Sequence, residues 1–152
     1  MVPLAYFLTW TTYGTWLPGD ARGWVHDKDG AWHVDVRGDE PVRVATAQAM
    51  MREKPVILTL ADRDRVERVI VDSCAVKNWP VHQVSVRTNH VHLVVTAPCQ
   101  TPEKVMSYLK AWASRGLNKR HGRRAWWTRH GSTRYLNDER SLDAALRYVQ
   151  TQ

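Results

Sequence analysis

The sequence is poor in cysteine, in carboxylates and in long apolar runs. Its two cysteines, Cys74 and Cys99, give neither a disulfide framework nor a zinc pattern, which fits a reducing, cytoplasmic (bacterial) compartment. No apolar run reaches the roughly 18 residues of a membrane span. The opening MVPLAYFL has no basic segment and no cleavage site, so no signal peptide is expected. There are 15 acidic residues against 22 lysines and arginines, a net charge of +7. Half of those basic residues fall between Lys104 and Arg147, a range with only three carboxylates. Such a surface suits a polyanion, usually nucleic acid, although a merely solvated face has the same composition. Eight tryptophans accompany it, and a Trp beside an Arg is a platform for unpaired bases.

At 152 residues the chain reads as one domain, with residues 14–57 as a long irregular insertion. Leu4 to Tyr13 is rich in aromatic and β-branched residues and predicts a strand. A short helix is expected over Thr46 to Arg52. Thr59 to Asn78 predicts a helix, capped by Thr59 or Asp62, with Leu60, Val66, Val69, Ile70, Ser73, Cys74 and Val76 on its apolar face. Val81 to Arg87 alternates as a strand, and Thr88-Asn89 turns it into a hairpin. Pro102 to His121 predicts a second helix, with Val105, Leu109, Trp112, Gly116 and Leu117 buried and Lys104, Lys110, Arg115, Lys119 and Arg120 facing away. Ala125 to Thr128 reads as a turn or short strand and Gly131 to Leu136 as a strand. Asn137 or Asp138 then caps a final helix. This order predicts an α+β fold: a ferredoxin-like split βαβ, with a four-stranded antiparallel sheet, helices on one face and an added C-terminal helix.

The chemistry centres on Asn89-His90-Val91-His92-Leu93-Val94-Val95. On a strand, side chains two apart share a face, so His90 and His92 stand together about 6.5 Å apart at Cα. Two titratable rings on one face of an apolar strand call for a common partner. Taken alone, a histidine of a bare His-x-His is more often a hydrogen-bonded or half-exposed residue than a ligand. On the last helix, Leu142, Ala145, Leu146 and Val149 form the packed stripe. Tyr148 and Gln152, four apart, fall at its border. The bland reading there is a packed ring and a frayed end. Taken together, these side chains suit a divalent ion such as Mg²⁺ or Mn²⁺ gripping a phosphate oxygen. The Tyr148 phenolate would attack the phosphodiester. Phenols titrate near about 10 in water, so a nearby cation has to assist.

Asn89 to Val95 with the terminal Tyr148-x-x-x-Gln152 resembles the single-tyrosine HUH transposases of bacterial insertion sequences. The stretches TWTTYGTWLPGD and AWWTRHGSTRYL resemble the REP-associated tyrosine transposase branch. The resemblance implies His90 and His92 as metal ligands, Gln152 as the third protein ligand and Tyr148 as the nucleophile. It further implies cleavage and rejoining of single-stranded DNA near hairpins through a 5′-phosphotyrosine, and a homodimer in some members. The last helix carries one tyrosine, unlike the two-tyrosine replication initiators; Tyr135 belongs to a strand. For DNA, the expected phosphate contacts are Arg115, Lys119, Arg123 and Arg124, and the expected stacking rings are Trp16 or Trp126. Two other readings stay open: a domesticated, non-cleaving binder of single-stranded DNA or RNA hairpins, and a metal hydrolase with water as nucleophile.

Overall fold

The computed structural model describes residues 2–15, 24–25, 34–35 and 53–152. The helix expected over Thr46 to Arg52, and Trp16, lie outside the described residues. The elements are β1 (Ala5–Thr12), β2 (Trp24–Val25), β3 (Val34–Asp35), α1 (Leu60–Val76), β4 (Val81–Val86), β5 (His90–Val95), α2 (Pro102–His121), β6 (Trp127–Leu136) and α3 (Glu139–Gln150). The main sheet is antiparallel in the order β4-β5-β1-β6. With β2 and β3 set aside as a separate two-stranded pair, this is the expected split βαβ.

Alternation along the strands sorts the residues into two layers. Tyr6, Leu8 and Trp10 of β1 and Val91, Leu93 and Val95 of β5 pack under α1 and α2 in the main core. Phe7 and Val94 face the opposite way and form a smaller core with Leu136, Ala145 and Val149. So α1 and α2 cover one face, and α3 lies across the other.

Each helix starts where its cap allows. Thr59 and Asp62 cap α1 reciprocally: Asp62 N–H donates to Thr59 Oγ1 (3.1 Å) and Thr59 N–H to Asp62 Oδ2 (3.2 Å). Asp62 also receives Arg120 Nε (3.1 Å) and His121 Nε2 (2.7 Å), fastening the start of α1 to the end of α2. Thr101 caps α2, and Asp138 rather than Asn137 caps α3. Gly122 ends α2 at φ 84°, a conformation glycine adopts without strain.

Three expectations need correction. The two pieces expected around Gly131 are one ten-residue strand, β6. It survives Gly131 because the strands approach closely there: a Cβ would sit 2.5 Å from the Thr9 carbonyl oxygen. Leu60, Val76 and Trp112, expected on buried faces, are exposed. Leu60 is the first residue of α1 and Val76 the last, where little packs over a helix. Lys110, expected to face away, is half-buried and its Nζ donates to the Thr128 carbonyl of β6 at 2.8 Å. Burial lowers its amine to about 8. Of the cysteines, Cys74 is fully buried in the main core and Cys99 is exposed.

Candidate active site

Register builds the site row by row on the face covered by α3. Thr9 of β1 pairs with His92 of β5 on one side and Ser132 of β6 on the other. Thr11 pairs with His90 in the next row, and Phe7 with Val94 and Arg134 in the row beyond His92. Directly opposed residues share a face, so the histidines stand among hydroxyls, with the Phe7 row beside them.

The His90 and His92 rings lie edge to face, centroids 4.7 Å apart. His90 Nδ1 is 2.8 Å from Asn89 Oδ1. A carboxamide oxygen only accepts, so Nδ1 carries the proton and Nε2 keeps its lone pair. His92 Nδ1 is 2.8 Å from Thr9 Oγ1, a hydroxyl able to accept from Nδ1–H and leave Nε2 bare in the same way. His92 is 3% exposed. Burial, then the charges of His90 and Arg87, push its pKa down to about 4. Burial and then Arg87 also lower that of His90. Both rings are therefore neutral near pH 7, the form that binds a metal. Among the described residues no three His, Cys, Asp or Glu side chains gather into a metal cluster. The pair nevertheless fits a divalent ion whose remaining ligands are oxygens from an amide, water or substrate.

Tyr148 comes from α3 to the same face. Its ring lies 5.4 Å from His92 and 5.9 Å from Phe7, centroid to centroid, and the residue is 48% exposed. The packed stripe below it is the expected one: Ala145 and Val149 are buried, with Leu142 and Leu146 against them. Gln152 follows the helix end, half-buried, with its N–H on the Val149 carbonyl at 3.3 Å. Its carboxamide makes no hydrogen bond to a described residue. The structure thus brings His90, His92 and Tyr148 together and leaves Gln152 at the adjoining helix end.

Residues 48–152 match the family model of IS200-like transposases, more than half of the chain. The chain belongs to that family. No curated protein matches it. Its fold is similar to that of a candidate transposase from Deinococcus radiodurans R1, with 14% identity, TM-score 0.51, and 100% of this chain and 92% of that one covered. It is similar also to a REP-associated tyrosine transposase bound to a REP hairpin, with 10% identity, TM-score 0.54, and 98% and 66% covered.

In this IS200-like transposase the expected DNA contacts separate into two groups. Arg115, Lys119 and Arg123 are exposed. Arg124 is committed to the fold, with Nε 3.0 Å from Glu53 Oε2 and a second hydrogen bond to the Lys54 carbonyl. Trp126 is buried at 5% exposure, and its Nε1–H donates to Asn118 Oδ1 at 2.7 Å. Its ring has no free face for a base, which takes Trp126 out of the stacking expectation, whereas Trp16 lies outside the described residues. Among the described residues the exposed Trp–Arg pair is instead Trp112 with Arg115, whose Cζ sits 4.6 Å from the ring centroid. It lies on α2, across the sheet from the histidines. Sequence reasoning missed Thr9 and Arg87. Thr9 is hidden in a run of strand formers, and only the register names it. The Arg87-Thr88-Asn89 turn read as a hairpin connection and nothing more.

Proposed function

We propose that the chain is a metal-dependent transposase that cleaves and rejoins single-stranded DNA near hairpins, with Tyr148 as nucleophile. The observation that carries this reading is the contact of the Tyr148 ring with the neutral His92–His90 pair on one face of the sheet. Hairpin DNA as substrate is supported by the likeness to a transposase bound to a REP hairpin.

The Tyr148 oxygen attacks the scissile phosphorus and loses its proton to solvent, which its exposure allows. The bond to the 3′-oxygen breaks, and that oxygen takes up a proton. A 5′-phosphotyrosine forms, and a later 3′-hydroxyl reverses the step without ATP. Mg²⁺ or Mn²⁺, held by Nε2 of His90 and His92 with the Gln152 carboxamide as third protein donor, would supply charge neutralisation at the phosphate. Thr9 and Asn89 fix the two ring orientations from behind. Phe7 supports the Tyr148 ring. Arg115, Lys119 and Arg123 would meet phosphates of the wider substrate. A homodimer that shares active sites, and a cytoplasmic location, belong to the same reading. Among the described residues no helix is long and apolar enough to cross a membrane.

The test is incubation with a single-stranded hairpin oligonucleotide and Mg²⁺ or Mn²⁺, followed by a denaturing gel. A covalent adduct lost in Tyr148→Phe and in His90→Ala is the expected result. Cleavage that survives Tyr148→Phe would make water the nucleophile, and binding without any adduct would leave a hairpin-binding module.

A further inference from the structure

Beside Tyr148 the sheet and α3 leave a groove of about 410 Å³ that the proposed chemistry does not use. Phe7, Leu136 and Ala145, all buried, make its base. The exposed Tyr148 and Arg134 stand around it, and Tyr135 borders it through its backbone, since its ring lies against Tyr6 on the other face of the sheet. No carboxylate lines it. Asp138, at the start of the same helix, is taken up by capping, its Oδ1 2.7 Å from the Ser141 N–H. Arg134 has no acidic partner among the described residues.

We propose that this groove is a nucleotide subsite, which seats one unpaired base of the strand next to the scissile phosphate while Arg134 grips that nucleotide's own phosphate. Three observations fix the ligand class. The groove is of small-ligand size, and its apolar, partly aromatic lining suits a flat ring that stacks. Its one cation stands at the mouth, opposite Phe7 in the β1–β6 register, where a phosphate attached to a base on Phe7 would lie. Finally, Tyr148 is at once a wall of the groove and the ring touching His92. A base held there is within one nucleotide of the attacking oxygen, so the groove sets which phosphate that oxygen meets. This deepens the proposed cleavage reaction and rests on it for its role, but base binding can be measured without cleavage.

The experiment uses the full ¹⁵N-labelled chain and four probes, dAMP, dGMP, dCMP and TMP, with deoxyribose 5-phosphate as the base-free control. Amide shifts are expected at Leu136, Ser141, Ala144 and Ala145, with a millimolar midpoint for at least one nucleotide. The control should bind at least tenfold more weakly. Arg134→Gln should weaken the nucleotide several-fold and leave the matching nucleoside unchanged. Ala144 is exposed at the groove, so Ala144→Leu should fill the space, abolish the shifts and leave the rest of the spectrum intact. Equal shifts from deoxyribose 5-phosphate would reduce the site to an anion contact and overturn the base pocket. Absence of shifts at these amides would overturn it too. The adduct assay on the same variants keeps the two ideas apart. An adduct in wild type without groove shifts sinks only the subsite, and groove shifts without an adduct sink only the cleavage.

Discussion

Leu93 and His92 are neighbours on β5, yet they belong to opposite sides of the molecule. Leu93 looks toward α1 and α2 into an apolar layer shared with Leu8 and Trp10. His92 looks toward α3, among Thr9, His90 and the Tyr148 ring. One strand therefore serves the main core with its odd-numbered residues, and on its even-numbered side it presents His90 and His92 to the site while Val94 joins the smaller core. The same division runs through β1, where Leu8 and Trp10 pack and Thr9 holds an imidazole. Neither face can be shifted without the other, because a one-residue slip would exchange them completely.

The division can be broken most severely from the packed side. Leu93→Ala should cost about 2–5 kcal/mol in denaturant unfolding, as expected for a core truncation that leaves a cavity. A cost below about 1 kcal/mol would mean that the two faces are not distinct in packing.

The next effect is acid sensitivity of the metal-free protein. His92 binds a proton near 6.5 when unfolded and only near about 4 when folded. Between those values the unfolded state holds more protons, so stability falls as pH drops. The loss is on the order of 3 kcal/mol by pH 4, from about 1.4 kcal/mol per unit. Replacing His92 by Gln should flatten the slope between pH 6.5 and 4 in urea titrations. An unchanged slope would assign it to other groups.

A smaller effect sharpens the site itself. Thr9→Val keeps shape and strand propensity but removes the hydroxyl behind His92. Metal affinity measured by calorimetry should fall roughly 10–100-fold, the usual consequence of losing a ligand's supporting hydrogen bond. Circular dichroism should stay unchanged.

The smallest effect lies outside both faces. Arg115→Gln removes the exposed guanidinium over Trp112 and should change stability by less than about 0.5 kcal/mol. If Arg115 meets a phosphate, the dependence of hairpin binding on salt should lose roughly one unit of slope. An unaltered slope would remove this surface from the DNA interface.

Much of this arrangement was legible in the sequence, because period and punctuation are local signals. Thr59, Pro102, Gly122 and Asp138 mark helix ends by chemistry that acts within a few residues. The His90–His92 pair and Tyr148 were legible for the same reason: spacing on a strand and on a helix decides which way they face. What failed depends on the third dimension. Trp126 beside Arg124 reads like a stacking platform, and nothing local says that Asn118 takes its N–H. Trp112 sits at a helical spacing that suits burial, yet it is exposed, with Arg115 over its ring. Gly131 looks like the start of a strand until β1 is placed against it, when it falls inside β6. The partnership of Thr9 with His92 spans 83 positions and exists only through register.

The two thiols, finally, stand on opposite sides of a barrier. Cys99 is open to solvent, whereas Cys74 is closed off in the main core and burial pushes its thiol up to about 11. A disulfide reagent attacks the thiolate, so it would label Cys99 at once and Cys74 only during moments when the helical layer lifts from the strands. The molecule thereby carries its own clock for that opening, readable in a stopped-flow trace without a dye being attached.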